Sequence, residues 1–348
     1  MQCVRDEGVV DVALGRVACG WAARNDGEWA TDATGEELVF DLASVTKPMT
    51  AVAFARSGID RRARVAELLP ELAGTKSADV PIELFLAHRG GLEAHLALFE
   101  PLARGERIDR AAALVTAANS RRADAEGTPP AEGFAPVYSD MSYMIVGAAL
   151  ARHARMRDSG DATHDLVLAP LGIADRVGTA RQLEARGVDL ATCAAPTEIV
   201  PWRGGTVVGR VHDENSWALT GAGGSGHAGM FGTVGGVLAF GRAVLDALDG
   251  RATPLGDVDL AWLVRVRPGG TLRAGFDGKS AEGSSAGGLF SSNSFGHLGF
   301  TGTSLWIDPD AKVVVALLTN RVHPTRESVA IRAARPKVHD ALFTLATR

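Results

Sequence analysis

The stretch Asp41-Leu-Ala-Ser-Val-Thr-Lys-Pro-Met-Thr50 places a serine three residues before a lysine, at the start of an apolar run. The run from Met49 to Phe54 is typical of a helix, and the proline fits its first turn. Residues three apart share a helix face, so Ser44 and Lys47 are expected to meet. Ser44 would lie at the helix start, where unpaired N–H groups and the positive dipole end favour a developing oxyanion.

This pair suits nucleophilic catalysis. A hydroxyl is a weak nucleophile until a neighbouring base takes its proton, and a lysine serves as that base where burial disfavours its ammonium form. Among the lysines of the chain only Lys47 has a serine three residues before it, yet chance yields such a match about one time in four. The motif alone therefore leaves two interpretations open, a catalytic serine and a plain helix-start serine.

The composition indicates a soluble globular protein. The chain has 348 residues, 46% of them hydrophobic, which is room for one large domain or two ordinary ones. A net charge of −5 gives no sign of the basic surface that binds nucleic acid or an anionic membrane. The sequence shows no membrane span and no signal-peptide core, and Cys3, Cys19 and Cys193 lack metal-ligand spacing. We expect a cytoplasmic protein, or a periplasmic or secreted one if a leader was removed.

Periodicity predicts an α+β fold. Short apolar pieces between Gly8 and Phe40, such as Val9–Leu14, indicate two or three antiparallel strands. Ser304–Asp308 and Lys312–Thr319 flank a turn and predict two more strands, whereas helical periodicity dominates from Ile59 to about Ala195. The result is an antiparallel sheet flanked by helices, with an inserted, mostly helical region.

We assign residues 1–58 and 225–348 to the discontinuous sheet region and residues 59–224 to the helical region. Because pockets form where such units meet, the active site is expected at their junction.

A second candidate motif is Tyr138-Ser-Asp140, on a loop before the apolar helix predicted from Met141 to Leu150. The chain has only one other tyrosine, Tyr143. A buried phenol near an ammonium loses its proton more easily and can relay protons between serine and leaving group. Asp140 is a candidate to orient the lysine or the substrate. The alternatives are a core tyrosine with a hydrogen-bonded hydroxyl and an aspartate that caps the helix.

A third candidate motif is Gly296-His-Leu-Gly-Phe-Thr-Gly-Thr303. A strand interrupted by glycines lets a substrate approach its backbone closely, and the N–H of Phe300 can pair with that of Ser44 as an oxyanion hole. The imidazole is placed to offer a hydrogen bond to a substrate carboxylate or carbonyl. The predicted substrate-binding residues of this strand are His297, Leu298 and Gly299. The alternative is an edge strand whose glycines only relieve crowding.

Ser44-Val-Thr-Lys47, Tyr138-Ser-Asp140 and His297-Leu-Gly299, in this order and spacing, resemble the three motifs of the serine β-lactamase-related family. That family includes class C β-lactamases, DD-peptidases and esterases. The segments that extend the likeness are Leu86–Leu92, Gly226–Phe231 and Phe295–Pro309. The resemblance implies a sheet flanked by helices, a helical second region and an acyl-enzyme on Ser44. It also implies that Lys47 and Tyr138 share the base and acid roles.

Two positions depart from the family pattern. The second motif usually ends in asparagine, and the charge of Asp140 can instead pair with Lys47, hold it protonated and transfer the base role to Tyr138. The third motif usually has lysine or histidine followed by threonine, and Leu298 removes that hydroxyl. A histidine in place of lysine and the lost hydroxyl weaken the case for binding the carboxylate of a β-lactam or D-alanyl peptide. Both changes favour a neutral ester or amide.

We therefore predict a serine hydrolase that acts through an acyl-enzyme on esters of small acids, without metal or cofactor. The alternative substrates are β-lactams and D-amino-acid amides or peptides. From a different class, a catalytically inactive protein of the same fold would bind a cell-wall-like ligand or partner. The expected partners are small-molecule or peptide-like substrates, not nucleic acid, and the sequence does not set the oligomeric state.

Three weaker signals point elsewhere. Gly221-Ala-Gly-Gly-Ser-Gly226 matches a dinucleotide fingerprint but lacks the strand that should precede it. Gly283-Ser-Ser-Ala-Gly287 matches a nucleophile elbow but lies in a polar loop. His212-Asp213 and His227 invite a metal, yet no third ligand has convincing spacing.

Overall fold

The structure is a computed structural model that describes residues 15–348. The predicted strand Val9–Leu14 and Cys3 therefore lie outside the described residues. The strands are β1 (Val17–Asn25), β2 (Glu28–Thr34), β3 (Phe40–Asp41), β4 (Val177–Thr179), β5 (Ile199–Val200), β6 (Gly205–Thr206), β7 (Met230–Gly232), β8 (Asp277–Gly278), β9 (Phe295–Leu298), β10 (Ser304–Asp308) and β11 (Val313–Thr319).

The α-helices are α1 (Thr46–Arg56), α2 (Val65–Leu68), α3 (Ile82–Leu86), α4 (Glu100–Ala103), α5 (Arg110–Asn119), α6 (Asp140–Ala154), α7 (Ser159–Thr163), α8 (Ala180–Glu184), α9 (Leu190–Cys193), α10 (Glu214–Thr220), α11 (Val234–Leu248), α12 (Ala261–Val264) and α13 (Ile331–Ala346). The shorter helical turns are the 3₁₀ helices Ala43–Val45, Pro70–Leu72 and Pro201–Arg203 and the π-helix His164–Leu168. Within residues 15–348, no helix has the length and apolar character needed to cross a bilayer.

The main sheet is antiparallel and runs in the order β2-β1-β11-β10-β9-β8. Every residue of β10 and β11 is buried, because helices cover both faces of the sheet. Alternate side chains such as Val314 pack with α11, whereas Val313 and Val315 pack with α13. This two-sided burial explains why β11 is a continuous apolar run. The predicted pairing of strands from both ends of the chain is confirmed, since β1 pairs with β11.

Helix α1 lies in the interior, between the sheet and the helical region. Its residues from Thr46 to Phe54 are all buried, polar ones included. A helix that is buried all round needs no amphipathic face, and its polar side chains must find partners inside the protein. The small sheet β3-β7-β4 connects the strand just before α1 to two segments more than a hundred residues away. The first motif is therefore fixed from several sides.

A buried histidine in α13 leads to a prediction about acid stability. Nδ1 of His339 lies 2.6 Å from the carbonyl oxygen of Ser285, and Nε2 lies 2.8 Å from the Ser304 hydroxyl. Burial lowers the pKa of His339 to about 3, against 6.5 for an exposed histidine. The folded state therefore excludes a proton that the unfolded state binds below pH 6.5. The stability contributed by neutral His339 is fully present above pH 6.5 and is lost as the pH falls towards 3.

We expect His339→Gln to flatten the loss of stability with falling pH by up to about 1.4 kcal/mol per pH unit. Urea unfolding at pH 7, 6, 5 and 4 measures this slope. The matched control is His153→Gln on the exposed side of α6. Equal slopes for wild type and His339→Gln would contradict the prediction.

Candidate active site

Ser44 lies in the 3₁₀ turn directly before α1, so the α-helix begins two residues later than the serine. The turn is strained, because Ala43 has a φ of +46°, which non-glycine residues rarely adopt. The carboxylate of Asp41 accepts hydrogen bonds from the N–H groups of Ala43, at 2.8 Å, and His212, at 2.6 Å. Burial raises the pKa of Asp41. This buried carboxyl fixes the turn that presents the serine.

The third motif docks against the same turn. The hydroxyls of Thr301 and Thr303 donate to the carbonyl oxygens of Asp41, at 2.7 Å, and Leu42, at 2.9 Å. A Cβ on Gly299 would lie 2.6 Å from the Leu42 carbonyl oxygen, so only glycine fits there. The end of β9 therefore lies directly beside the serine turn.

This docking brings the two predicted oxyanion-hole residues to one cavity. Ser44 and Phe300 both line it. In the part of the chain that the structure describes, neither backbone N–H donates a hydrogen bond to another protein group. Two free donors at a serine turn are what a developing oxyanion requires.

Lys47 is fully buried and uses all three of its hydrogens. Its Nζ donates to Ser44 Oγ at 2.9 Å, to Asp140 Oδ1 at 2.7 Å and to the carbonyl oxygen of His227 at 3.2 Å. Asp140 is the first residue of α6, and the N-cap is Ser139, whose hydroxyl accepts the N–H of Ser142. The alternative in which Asp140 caps the helix is therefore wrong.

The charges at Lys47 differ from the simplest expectation. Burial on its own lowers the pKa of Lys47, but the negative charge of Asp140 and the contact with Tyr138 outweigh it and raise that pKa above 10.5. Burial likewise acts to raise the pKa of Asp140, and the lysine charge outweighs it and holds this pKa far below its usual range. The resting site thus contains an ammonium–carboxylate pair. Burial therefore does not deprotonate Lys47, because the charge of Asp140 dominates, as the aspartate in the second motif had suggested.

Tyr138 lies over this pair. Lys47 Nζ is 4.7 Å from the centroid of the phenol ring. Burial raises the pKa of Tyr138 above 10, although Lys47 and the Ser44 hydroxyl oppose that shift. Both members of the Lys47–Tyr138 pair therefore carry a proton at neutral pH. Because the two groups are coupled, the first proton leaves the pair as a unit, and either residue can then act as the base.

His297 lies on β9, with its ring centroid 5.8 Å from that of Tyr138. Nδ1 lies 2.8 Å from the carbonyl oxygen of Leu298, and a carbonyl only accepts, so Nδ1 carries the ring proton. Burial, helped by Lys47, lowers the pKa of His297 to about 3. The neutral ring therefore presents Nε2 as an acceptor. The predicted role of His297 as a donor to a substrate carboxylate does not fit this geometry.

A cavity of about 780 Å³ unites these groups. The predicted residues that line it are Ser44, Tyr138, Asp140, His297, Leu298, Gly299 and Phe300. The lining residues that sequence reasoning missed include His95, Phe99, Arg321, Arg326 and Arg335. His95 is half-exposed, its Nδ1 lies 3.9 Å from the Asp140 carboxylate, and the interaction with this carboxylate raises the pKa of His95. These residues come from irregular loops and from α13, where no motif spacing marks them.

The weaker signals have structural explanations. The glycine-rich loop 221–226 precedes strand β7 and packs on Asp158, which accepts the N–H of Gly224 at 3.2 Å. The elbow-like segment Gly283–Gly287 is a loop in which the carbonyl oxygen of Ser285 lies 2.6 Å from Nδ1 of His339, and Ser285 does not line the cavity. Nε2 of His227 lies 2.8 Å from Asp213. Over residues 15–348, no group of three or more potential ligands could hold a metal ion.

Comparison with known proteins shows what the chain is similar to. A sequence profile of the family described as Beta-lactamase matches residues 4–339. A protein of Salmonella agona (strain SL483) that carries the name of a D-alanyl-D-alanine carboxypeptidase is 28% identical over 218 residues. The match covers 60% of this chain and 48% of that relative. The chain thus spans about half the length of the curated relatives it matches.

Solved structures share the fold. The hydrolase EstCE1, described as having promiscuous acyltransferase activity, superposes with a TM-score of 0.66 at 21% identity and covers 98% of each chain. A class C β-lactamase from Rhodobacter sphaeroides gives a TM-score of 0.63 at 16% identity, over 98% of this chain and 97% of its own. The predicted α+β fold with an antiparallel sheet flanked by helices is confirmed.

Proposed function

This chain belongs to the Beta-lactamase family of serine hydrolases, as its three motifs predicted, and from that premise we propose that it hydrolyses esters of small acids through an acyl-enzyme on Ser44. The observation that carries the proposal is the contact of Lys47 Nζ with Ser44 Oγ at 2.9 Å. This contact lies beneath the phenol ring of Tyr138 and beside the free backbone N–H groups of Ser44 and Phe300. Together these supply a nucleophile, a proton acceptor and an oxyanion site.

The reaction runs in two halves. The Ser44 oxygen attacks the ester carbonyl while its proton passes to the Lys47–Tyr138 pair, which has already lost one proton. The oxyanion forms between the N–H groups of Ser44 and Phe300. The pair then protonates the leaving alcohol, the C–O bond breaks and an acyl-enzyme remains. A water molecule that gives its proton to the same pair attacks this ester, and the acid leaves as Ser44 regains its proton.

A neutral substrate suits the third motif. His297 is uncharged at neutral pH, and Leu298 provides no hydroxyl. Arg326 pairs with the carboxylates of Glu198 and Glu214. The guanidinium groups of Arg321 and Arg335 donate to backbone, to the carbonyl oxygens of Phe300 and Gly299 respectively, each at 2.8 Å. These cations hold the loop after β9 in place. Recognition of a carboxylate by this strand would lack the cation and the hydroxyl that the family pattern supplies.

A panel of substrates tests this function. We expect p-nitrophenyl acetate and butyrate to be hydrolysed with a kcat/KM at least tenfold above that for nitrocefin or a D-alanyl-D-alanine peptide, and a fluorophosphonate to add covalent mass to Ser44. Preference for the D-alanyl-D-alanine peptide would favour the activity in the relatives' name, and preference for nitrocefin would favour a β-lactamase. A folded protein with neither turnover nor an adduct would be a binding protein.

Tyr138→Phe is expected to lower the rate of acylation by about a hundredfold or more, because it removes one partner of the proton-transfer pair. Stopped-flow release of p-nitrophenol measures this step. The control is Tyr143→Phe, which removes a hydroxyl that donates to the Leu86 carbonyl oxygen at 2.8 Å and does not line the cavity. Full activity of Tyr138→Phe would show that its assigned role is wrong.

A further inference from the structure

The segment Leu86-Ala-His-Arg-Gly-Gly-Leu92 resembles the family, yet neither its motifs nor the proposed reaction gives His88 a task. We propose that His88 is a positioning residue that fixes the backbone and the ring of Tyr138 for proton transfer. This inference rests on the proposed function, since it concerns the geometry of the proposed proton-transfer group.

His88 holds the chain on both sides of Tyr138. Its carbonyl oxygen accepts the N–H of Val137 at 3.1 Å, and its Nδ1 accepts the N–H of Ser139 at 3.1 Å. One residue thus binds the N–H groups directly before and after the tyrosine. A backbone movement at Tyr138 that displaces either neighbouring N–H would break one of these bonds.

The imidazole also fixes the phenol ring. The ring centroids of His88 and Tyr138 lie 4.7 Å apart with an interplanar angle of 31°. Tyr143 packs 5.1 Å from the same imidazole. The phenol ring of Tyr138 therefore packs on the imidazole of His88, which packs in turn on Tyr143. This packing sets the distance between the phenol and Lys47.

The backbone of His88 is itself strained. Its φ of +59° lies in the left-handed region, and the residue is 2% exposed. Residues in such conformations persist where the surrounding structure holds them, and they cluster at active sites and ligand clamps. Here the unusual turn after α3 directs both the carbonyl and the ring of His88 at the second motif.

The effect is geometric rather than electrostatic. Nδ1 accepts the Ser139 N–H, so the proton of the neutral ring is on Nε2. Burial, together with Lys47, holds the pKa of His88 well below its usual value, so the ring stays neutral at neutral pH. A neutral ring places Tyr138 without changing its charge. Variants that keep the acceptor should therefore keep the wild-type pH profile.

Two substitutions separate the ring from the acceptor. His88→Asn keeps an acceptor near the Nδ1 position and tolerates a positive φ, whereas His88→Phe keeps a ring but leaves the Ser139 N–H buried without a partner. We expect His88→Phe to lower kcat for p-nitrophenyl butyrate by about 10- to 100-fold with little change in KM, the scale of a small misplacement. His88→Asn should recover at least a third of the wild-type kcat with an unchanged pH profile. Where His88→Phe fails to fold, His88→Gln replaces it, because its amide lies too far out for the Nδ1 position.

A double-mutant cycle tests whether His88 acts through Tyr138. In the Tyr138→Phe background, His88→Phe should lower kcat less than threefold, because the hydroxyl that His88 positions is already absent. Additive losses would overturn the proposal, since they would indicate a separate role for the histidine.

A readout without turnover is available, because the chain contains only two tyrosines. In protein labelled with ¹³C-tyrosine, Tyr143→Phe assigns the Tyr138 signal. We expect His88→Phe to shift or broaden this signal and His339→Gln, an equally buried histidine far along the chain, to leave it in place. Unchanged signals and activity in His88→Phe would refute the positioning role. Failure of the proposed function would look different, with no turnover and no Ser44 adduct in the wild type.

Discussion

Ser44→Ala is expected to abolish ester hydrolysis, with kcat at least a thousandfold lower. In another serine hydrolase, loss of the serine nucleophile lowers kcat by about a millionfold. The reason is that the Ser44 hydroxyl is the group that carries the acyl chain in the proposed reaction. Lys47 keeps its bonds to Asp140 and to the His227 carbonyl oxygen, so the melting temperature should change little. Initial rates with p-nitrophenyl butyrate and intact-protein mass after fluorophosphonate treatment measure both effects.

The matched control is Ser285→Ala, in the Gly283–Gly287 segment that resembles a nucleophile elbow. The carbonyl oxygen of Ser285 accepts a hydrogen bond from His339, and the residue does not line the cavity. It should retain wild-type activity. Covalent mass on Ser285, or activity that survives in Ser44→Ala, would show that Ser44 is not the nucleophile.

The sequence was sufficient for the fold and for the residues that meet. The S-x-x-K spacing is a local property of one helix start, so the contact of Ser44 with Lys47 follows from it. The strand pair β10–β11 follows from two apolar runs around a turn, and β11 begins at Val313 rather than Lys312. The order of the three motifs identified Tyr138 and the glycine-containing strand at His297–Gly299 as site residues, although neither is near Ser44 in sequence.

The sequence raised the pairing of Asp140 with Lys47 as one possibility, but it could not decide the protonation states or find the supporting residues. The pKa of Lys47 is a balance of large opposing effects, burial against the charge of Asp140, and the sign depends on a 2.7 Å contact that only coordinates give. The predicted donor role of His297 does not fit the structure, because Nδ1 of His297 hydrogen-bonds with the Leu298 carbonyl oxygen of its own strand. His88 has a function only because its carbonyl and ring reach the second motif, about fifty residues later. Such long-range side-chain geometry leaves no periodic signal.

Lys47→Met is expected to lower acylation by a thousandfold or more, since it removes the group that contacts Ser44 Oγ and holds the proton pair together. Methionine fills a similar volume without charge. The variant should also be less stable by about 2–4 kcal/mol, because it leaves the Asp140 carboxylate largely buried without its partner. Denaturant unfolding and stopped-flow acylation measure the two losses separately.

The double variant Lys47→Met with Asp140→Asn distinguishes these losses. Removing both charges abolishes the unpaired carboxylate, so most of the lost stability should return. The acylation rate should stay at the Lys47→Met level, because no base has been restored. Recovery of activity together with stability would mean that Lys47 matters only for folding.

Asp140→Asn alone, which introduces the residue usual in the family's second motif, should move the pH dependence of the reaction. Asp140 raises the pKa of Lys47, so its loss lowers the pH at which the Lys47–Tyr138 pair releases its first proton. The reactive form then populates at lower pH, and the acidic limb of kcat/KM should shift down by one unit or more. On that limb this shift is a rise of at least tenfold at fixed pH. An unshifted limb with lower activity at every pH would instead place Asp140 in substrate binding.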